Sequence, residues 1–204
     1  MQEFELYGTV RAVVSVCDSL NYITDRDELR HVFELVNNYL DPEGIFLFDM
    51  NTVHKYRDLL GDTTIAENRD EGSFIWDNSY DEEEGLNYYE LAVFLPREDG
   101  LYEKSEEVHC QKAYPQEEIE TLIKEAGMEL LAVYDAYTLN PATEDSERLF
   151  FVAREKGKKK TNNELKERLV FYERLYCKSN CGRQSDSCVC SGYNRNSRNS
   201  ETGS

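Results

Sequence analysis

Cys17-Asp18-Ser19, followed at once by Asn21 and Tyr22, puts a thiol, a carboxylate, a hydroxyl, an amide and a phenol within six residues. A second polar group, Asp49, Asn51 and His54, lies some thirty residues on. Carboxylates and amides can orient a ligand by hydrogen bonds, and a histidine can exchange a proton near neutral pH. His109 next to Cys110 suggests metal or nucleophile chemistry. Neighbours on a strand point to opposite faces, however, which separates the two side chains. Trp76 and Tyr88 add aromatic surface that could cover a bound molecule.

Both polar groups follow apolar runs. Val10 to Cys17 is β-branched and lacks polar alternation, as in a strand buried on both faces of a parallel sheet. Ile45-Phe46-Leu47-Phe48 is a second such run, ending at Asp49-Met50-Asn51-Thr52. Between them Leu29, Val32, Phe33, Val36 and Leu40 recur at spacings of three and four, the stripe of an amphipathic helix. Thr24 with Asp27 resembles a capping box at its start, and Asp41-Pro42-Glu43-Gly44 breaks it. Strand, helix and strand with short turns predict parallel pairing, so the two polar groups end at one sheet edge. In open α/β sheets that edge is where ligands bind. The alternative is that Asp18 and Ser19 merely satisfy a turn.

A short helix is expected from Val53 to Leu60, then a loop. Ser73 to Tyr80, Leu86 to Leu95 and Leu101 to Tyr114 are aromatic and β-branched, separated by Gly-containing acidic turns. They predict an antiparallel meander at 73–114 inserted into the α/β frame, placed as a lid over the ligand edge. Pro115 opens a helix striped by Ile119, Leu122, Ile123 and Ala126, which Gly127 ends. Two strands follow, Glu129 to Asp135 and Arg148 to Arg154, joined as an antiparallel pair. The body is thus 1–156. The stretch 157–204 is basic and rich in Cys, Ser and Asn; a short helix is conceivable at Leu165 to Leu175, and the rest reads as disordered.

The chain has 204 residues and a formal charge of -18. Phosphate binding needs clustered Lys and Arg, so nucleic acid and anionic membranes are excluded as expected partners. No apolar run reaches the ~20 residues that span a bilayer. Cys17 and Cys110 stand apart in the body, which suits a reducing cytoplasm. Cys177, Cys181, Cys188 and Cys190 could be four zinc thiolates, but the single-residue gap between the last two fits such a site poorly. No metal is therefore expected.

The ordered set resembles the C-terminal half of a class I S-adenosylmethionine-dependent methyltransferase. The likeness rests on Val13-Val14-Ser15-Val16-Cys17-Asp18-Ser19-Leu20-Asn21-Tyr22-Ile23, on Tyr39-Leu40-Asp41-Pro42-Glu43-Gly44-Ile45-Phe46-Leu47-Phe48-Asp49, and on Ile123-Lys124-Glu125-Ala126-Gly127-Met128. These are similar to the fourth strand with its loop, the fifth strand, and the approach to the sixth. The resemblance implies a partial Rossmann-like sheet of the family's fourth to seventh strands, S-adenosylmethionine as cofactor and a small-molecule methyl acceptor. It places Met1 and Gln2 near adenine and Cys17, Asp18 and Ser19 along the methionine side. Tyr22 and Asn21 would face the transferred methyl group. Asp49, Asn51 and His54 would border the acceptor, with Trp76, Tyr88 and His109 in the lid.

The family's Gly-rich loop has no counterpart, since no two glycines lie two apart. The resemblance therefore implies an N-terminally truncated, potentially inactive form, or a remnant that pairs with another chain through an exposed edge. The family's sheet order would leave Val10 to Cys17 as that edge, which predicts self-association. A nicotinamide dehydrogenase is disfavoured because its glycine fingerprint is equally missing.

Overall fold

The computed structural model describes residues 3–159 and, as backbone, Leu169–Tyr172. Two sheets organise them. The first holds β1 (Val10–Ser15), β2 (Leu40–Asn51), β7 (Met128–Asp135), β8 (Arg148–Glu155) and β9 (Leu169–Tyr172), in the order β7-β8-β2-β1-β9. The second is the meander β3 (Thr64–Arg69), β4 (Gly72–Asp81), β5 (Leu86–Pro96) and β6 (Tyr102–Lys112), in chain order and antiparallel throughout.

β1 and β2 run parallel, with Val13 opposite Phe46 and Ser15 opposite Phe48. The helix between them, α1 (Arg26–Tyr39), buries Leu29, Val32, Phe33 and Val36. Its cap is Asp25, whose carboxylate accepts from the amides of Asp27 and Glu28 at 2.9 and 3.0 Å. Thr24, the expected cap, sits one residue too early to reach those donors. Gly44 lies where a Cβ would come within 2.9 Å of the Asp41 carbonyl and 3.1 Å of that of Arg11. That close approach keeps β2 beside β1 across the register shift that separates the Val10–Leu40 and Ala12–Ile45 pairs.

The core lies on one face of the first sheet. Phe46 and Phe48 point inward at alternate positions, and Phe33 of α1 meets them at 5.7 and 5.2 Å between ring centroids. Phe151 of β8 stacks on Phe48 at 4.9 Å. The second helix, α2 (Gln116–Glu125), adds Ile119, Leu122 and Ile123 to the same cluster. Because both helices join that one cluster, the opposite face is less covered: Ala12, Val14, Ile45 and Leu47 are only half-buried. This corrects the expectation of a strand buried on both faces.

Four further differences are instructive. The expected loop before the meander contains β3, an edge strand that is exposed almost throughout, Ile65 included, so that burial imposes no alternation on it. Within the expected helix Leu165 to Leu175, Leu169–Tyr172 is instead a strand parallel to β1, with Ala12 opposite Leu169 and Ser15 opposite Tyr172. A strand edge presents a row of backbone donors and acceptors, and the chain's own Leu-Val-Phe-Tyr backbone satisfies them. The exposed β1 edge is thereby corrected, and with it the basis for self-association through that edge. Lys158, assigned to the disordered tail, donates to the carbonyls of Asn38 (3.0 Å) and Leu40 (2.6 Å) at the end of α1. A cation there complements the negative helix terminus. Met1, Gln2 and the four tail cysteines lie outside the described residues. Among the described residues no helix is long and apolar enough to cross a membrane.

Candidate functional site

β1 runs out at Ser15, and the chain then turns through two consecutive left-handed residues, Cys17 (φ 63°) and Asp18 (φ 48°). Such backbone costs about 1–3 kcal/mol per non-glycine residue and persists only where neighbours enforce it. Here they do. The Asp18 amide donates to Asp49 Oδ1 at 3.1 Å, tying the end of β1 to that of β2. Ser19 Oγ donates to the Val16 carbonyl at 2.7 Å, and a single 3-10 turn spans Ser19–Tyr22.

Asn21 locks this turn. Its amide nitrogen donates to the carbonyls of Asn51 (3.2 Å) and Lys112 (2.9 Å), while its oxygen accepts from the Asn51 amide at 2.9 Å. Asn21 is fully buried with these groups engaged, so it braces the loop against β2 and β6 instead of lining an acceptor pocket. Asn51 is likewise occupied: its side chain donates to Tyr56 Oη (3.0 Å) and accepts from Lys55 Nζ (3.0 Å).

The two carboxylates at the sheet edge share one cation. Arg148, at the start of β8, donates to Asp18 Oδ1 at 2.9 Å and to Asp49 Oδ2. Burial opposes the guanidinium's charge, but the two carboxylates more than offset that, and its pKa is raised. Gln111 Nε2 donates to Asp18 Oδ2 at 2.6 Å, and Tyr56 Oη donates to Gln111 Oε1 at 2.8 Å. Burial raises the Tyr56 pKa far above the usual phenol range and lowers that of Lys55, with Arg148 adding to the latter. Tyr56 therefore stays a neutral donor. The clasp pre-organises the strand ends but leaves neither carboxylate unengaged.

A second cluster joins the loop to the meander. Tyr22 Oη lies 2.6 Å from Tyr89 Oη and 2.8 Å from His109 Nδ1. His109 Nε2 lies 3.2 Å from Glu107 Oε2, and the His109 ring stacks on Tyr89 at 4.4 Å. Trp76 packs on Tyr89 at 5.2 Å, and its indole Nε1 is buried with no hydrogen-bond partner among the described residues. Beyond it, Phe74, Trp76, Leu91 and Val93, with Arg69 and Glu71, line an open and mostly apolar trough of about 580 Å³. Tyr88 is elsewhere: it pairs across the strands with Cys110, on the face away from Tyr89.

His54 is separate again. It bonds Asp58 at 2.9 Å and lines a cavity of about 440 Å³ between the end of β2, the start of α2 and the β7–β8 connection. Neither Trp76 nor His109 reaches that cavity. The expected acceptor residues thus divide three ways: Asp49 in the arginine clasp, Trp76 and His109 in the aromatic cluster, His54 in the helix-side cavity. Of the expected cofactor residues, Cys17 is exposed at the strand end, while Asp18 and Ser19 are engaged internally.

Arg148, Gln111, Tyr56, Lys55, Tyr89 and Glu107 were not singled out from sequence. For two of them a signal existed. Glu107, His109 and Gln111 share one face of β6 by period two, which is the signal that ties both neighbours to His109.

No family model matches the chain. Over 154 residues it is 32% identical to a Geobacillus sp. (strain WCH70) protein named "Putative methyltransferase GWCH70_2453", matching 76% of this chain and 62% of that one. Over 146 residues it is 34% identical to a Bacillus subtilis (strain 168) protein named "Putative methyltransferase YqeM", matching 72% of this chain and 59% of that one. The chain spans about three fifths of the length of these relatives. A solved S-adenosylmethionine-dependent methyltransferase from Clostridium acetobutylicum superposes with a TM-score of 0.72 at 27% identity, over 76% of this chain and 62% of that structure. In sequence and in fold, over 62% of that structure's length, the chain is similar to the class I S-adenosylmethionine-dependent methyltransferases.

Proposed function

We propose that this chain takes part in S-adenosylmethionine-dependent methyl transfer to a small-molecule acceptor in the cytoplasm. The observation that carries the reading is the parallel β1–β2 pair, whose ends meet through the Asp18 amide and the Asp49 carboxylate at 3.1 Å. That is the strand edge at which α/β folds bind ligands, and the chain is similar to a solved S-adenosylmethionine-dependent methyltransferase. When bound, the cofactor supplies an already activated methyl group, so the protein's task is mainly alignment and exclusion of water.

The fit of the described residues to that cofactor is partial. Cys17 offers an exposed side chain beside the strand end, Asp18 and Ser19 shape the wall, and Tyr22 faces the meander. Met1 and Gln2 belong to the adenine side on the resemblance. The chain has no Gly-rich loop to cradle the methionine end. Asp49, Asn21 and Asn51 act as braces, and the acceptor approaches under the meander beside Trp76 and His109.

Calorimetric titration with S-adenosylhomocysteine tests this. Saturable micromolar binding supports the enzyme reading. Silence to millimolar concentration sinks it and leaves a non-catalytic remnant.

A further inference from the structure

We infer that Tyr22, His109 and Glu107 form a proton relay for an amine acceptor, oriented by Tyr89; this rests on the methyl-transfer reading above. The hydrogen-bond directions follow from elementary chemistry. An ionised Glu107 carboxylate only accepts, so the Nε2 that faces it at 3.2 Å carries the imidazole proton. In neutral His109 the other nitrogen, Nδ1, is then an acceptor. Tyr22, 2.8 Å away, must donate to it, and must in turn accept from Tyr89 at 2.6 Å. A nucleophile-side hydroxyl, a histidine and an orienting carboxylate is the logic by which hydroxyls are activated on unrelated folds. Stacking on Tyr89 and 9% exposure hold the imidazole in place.

The neighbouring surface indicates the substrate class. The trough reached from Tyr89 through Trp76 is walled by Phe74, Trp76, Leu91 and Val93, with Arg69 and Glu71 also lining it; Arg69 is paired with Glu67 at 2.6 Å, which offsets its charge. Aromatic faces attract cations, and Glu107 is more than half exposed beside them in a chain of charge -18. An apolar primary amine suits these walls. At neutral pH it arrives as an ammonium ion and must lose a proton before its nitrogen can attack.

In the relay one N–H bond of the ammonium breaks and its proton passes to Tyr22 Oη. The Tyr22 proton passes to His109 Nδ1, giving an imidazolium paired with Glu107. The electron pair left on nitrogen would then be available to the methyl carbon of a bound cofactor, whose sulfur would keep the electrons of the sulfur–methyl bond that breaks. The relay resets when Nδ1 returns its proton to Tyr22 Oη and the proton that Tyr22 took from the ammonium passes to solvent, which restores the Nε2–H tautomer facing Glu107.

The test uses the full chain and benzylamine as probe. Without any ligand, long-range ¹H–¹⁵N correlation of His109 is expected to show the proton on Nε2; a proton on Nδ1 overturns the relay. Tyr22→Phe should shift the Nδ1 resonance and lower kcat for methyl transfer to benzylamine by ~10²–10⁴-fold with little change in KM. An unchanged kcat overturns the proposal. Glu107→Gln, at an exposed position, should weaken the Nε2–H preference and lower kcat less. A wild-type chain that binds S-adenosylhomocysteine but does not methylate benzylamine overturns the amine assignment. No binding of S-adenosylhomocysteine sinks the methyl-transfer reading itself, a result separate from the tautomer.

Discussion

On the helix side of β2, Phe46 and Phe48 are 1% and 0% exposed; on its other side Asp49 and Asn51 are 1% and 5% exposed. Burial is nearly equal, yet the two sides are held by different physics. The phenylalanines meet Phe33 and Phe151, so their contribution grows with the apolar area removed from water. Asp49 gains from burial only because Arg148 and the Asp18 amide satisfy its oxygens. The apolar side tolerates approximate geometry, whereas the polar side is stable only when every partner is present.

The largest expected loss tests the apolar side. Phe48→Ala should cost about 3–5 kcal/mol in denaturant unfolding, as for other buried phenylalanines. A loss under ~1 kcal/mol would show that the helix-side core does not depend on the aromatic stack.

The next probes the polar side. Arg148→Met leaves two carboxylates at the sheet edge without their cation and should cost about 3 kcal/mol, below the largest such values because Asp18 keeps 21% exposure. Adding Asp18→Asn and Asp49→Asn should recover most of that loss. If the triple variant is no more stable than Arg148→Met, uncompensated charge is not the cause.

Away from both regions, Asp25→Ala should cost ~1 kcal/mol by removing the α1 cap, whereas Thr24→Ala should be near neutral. Equal losses would return the cap to Thr24. The smallest effect is electrostatic. The Arg154 hydrogen bond, then its charge, holds the exposed Glu129 carboxyl below its usual pKa. Between the folded and unfolded values the unfolded chain binds more protons. The pair therefore contributes above the ordinary glutamate pKa, and that contribution fades as pH falls through the folded one. Arg154→Ala should move the Glu129 midpoint up in an NMR titration; an unmoved midpoint removes the pair.

How far the site could be read from sequence depended on range. Asp18 and Asp49 were brought together because two apolar runs and one helical stripe imply parallel strands, and their ends do meet. His109 was found, but Tyr89 was missed in favour of Tyr88, because alternation names two faces without saying which one looks at Tyr22. β3 was missed because an exposed edge strand needs no apolar period. Asn21 and Asn51 were assigned to the acceptor, since amides that brace and amides that bind have the same composition.

By itself the sequence determined the periodic elements: the strand-helix-strand start, the helix after Pro115 and the three longer meander strands. These follow from residue types a few positions apart, acting through burial and backbone preference. Only the tertiary structure decided that Arg148 clasps Asp18 from 130 residues away, that Gln111 reaches it from 93, and that Leu169–Tyr172 pairs with β1. Those outcomes depend on register and on which buried polar atoms still need partners, quantities that exist only once the strands are packed.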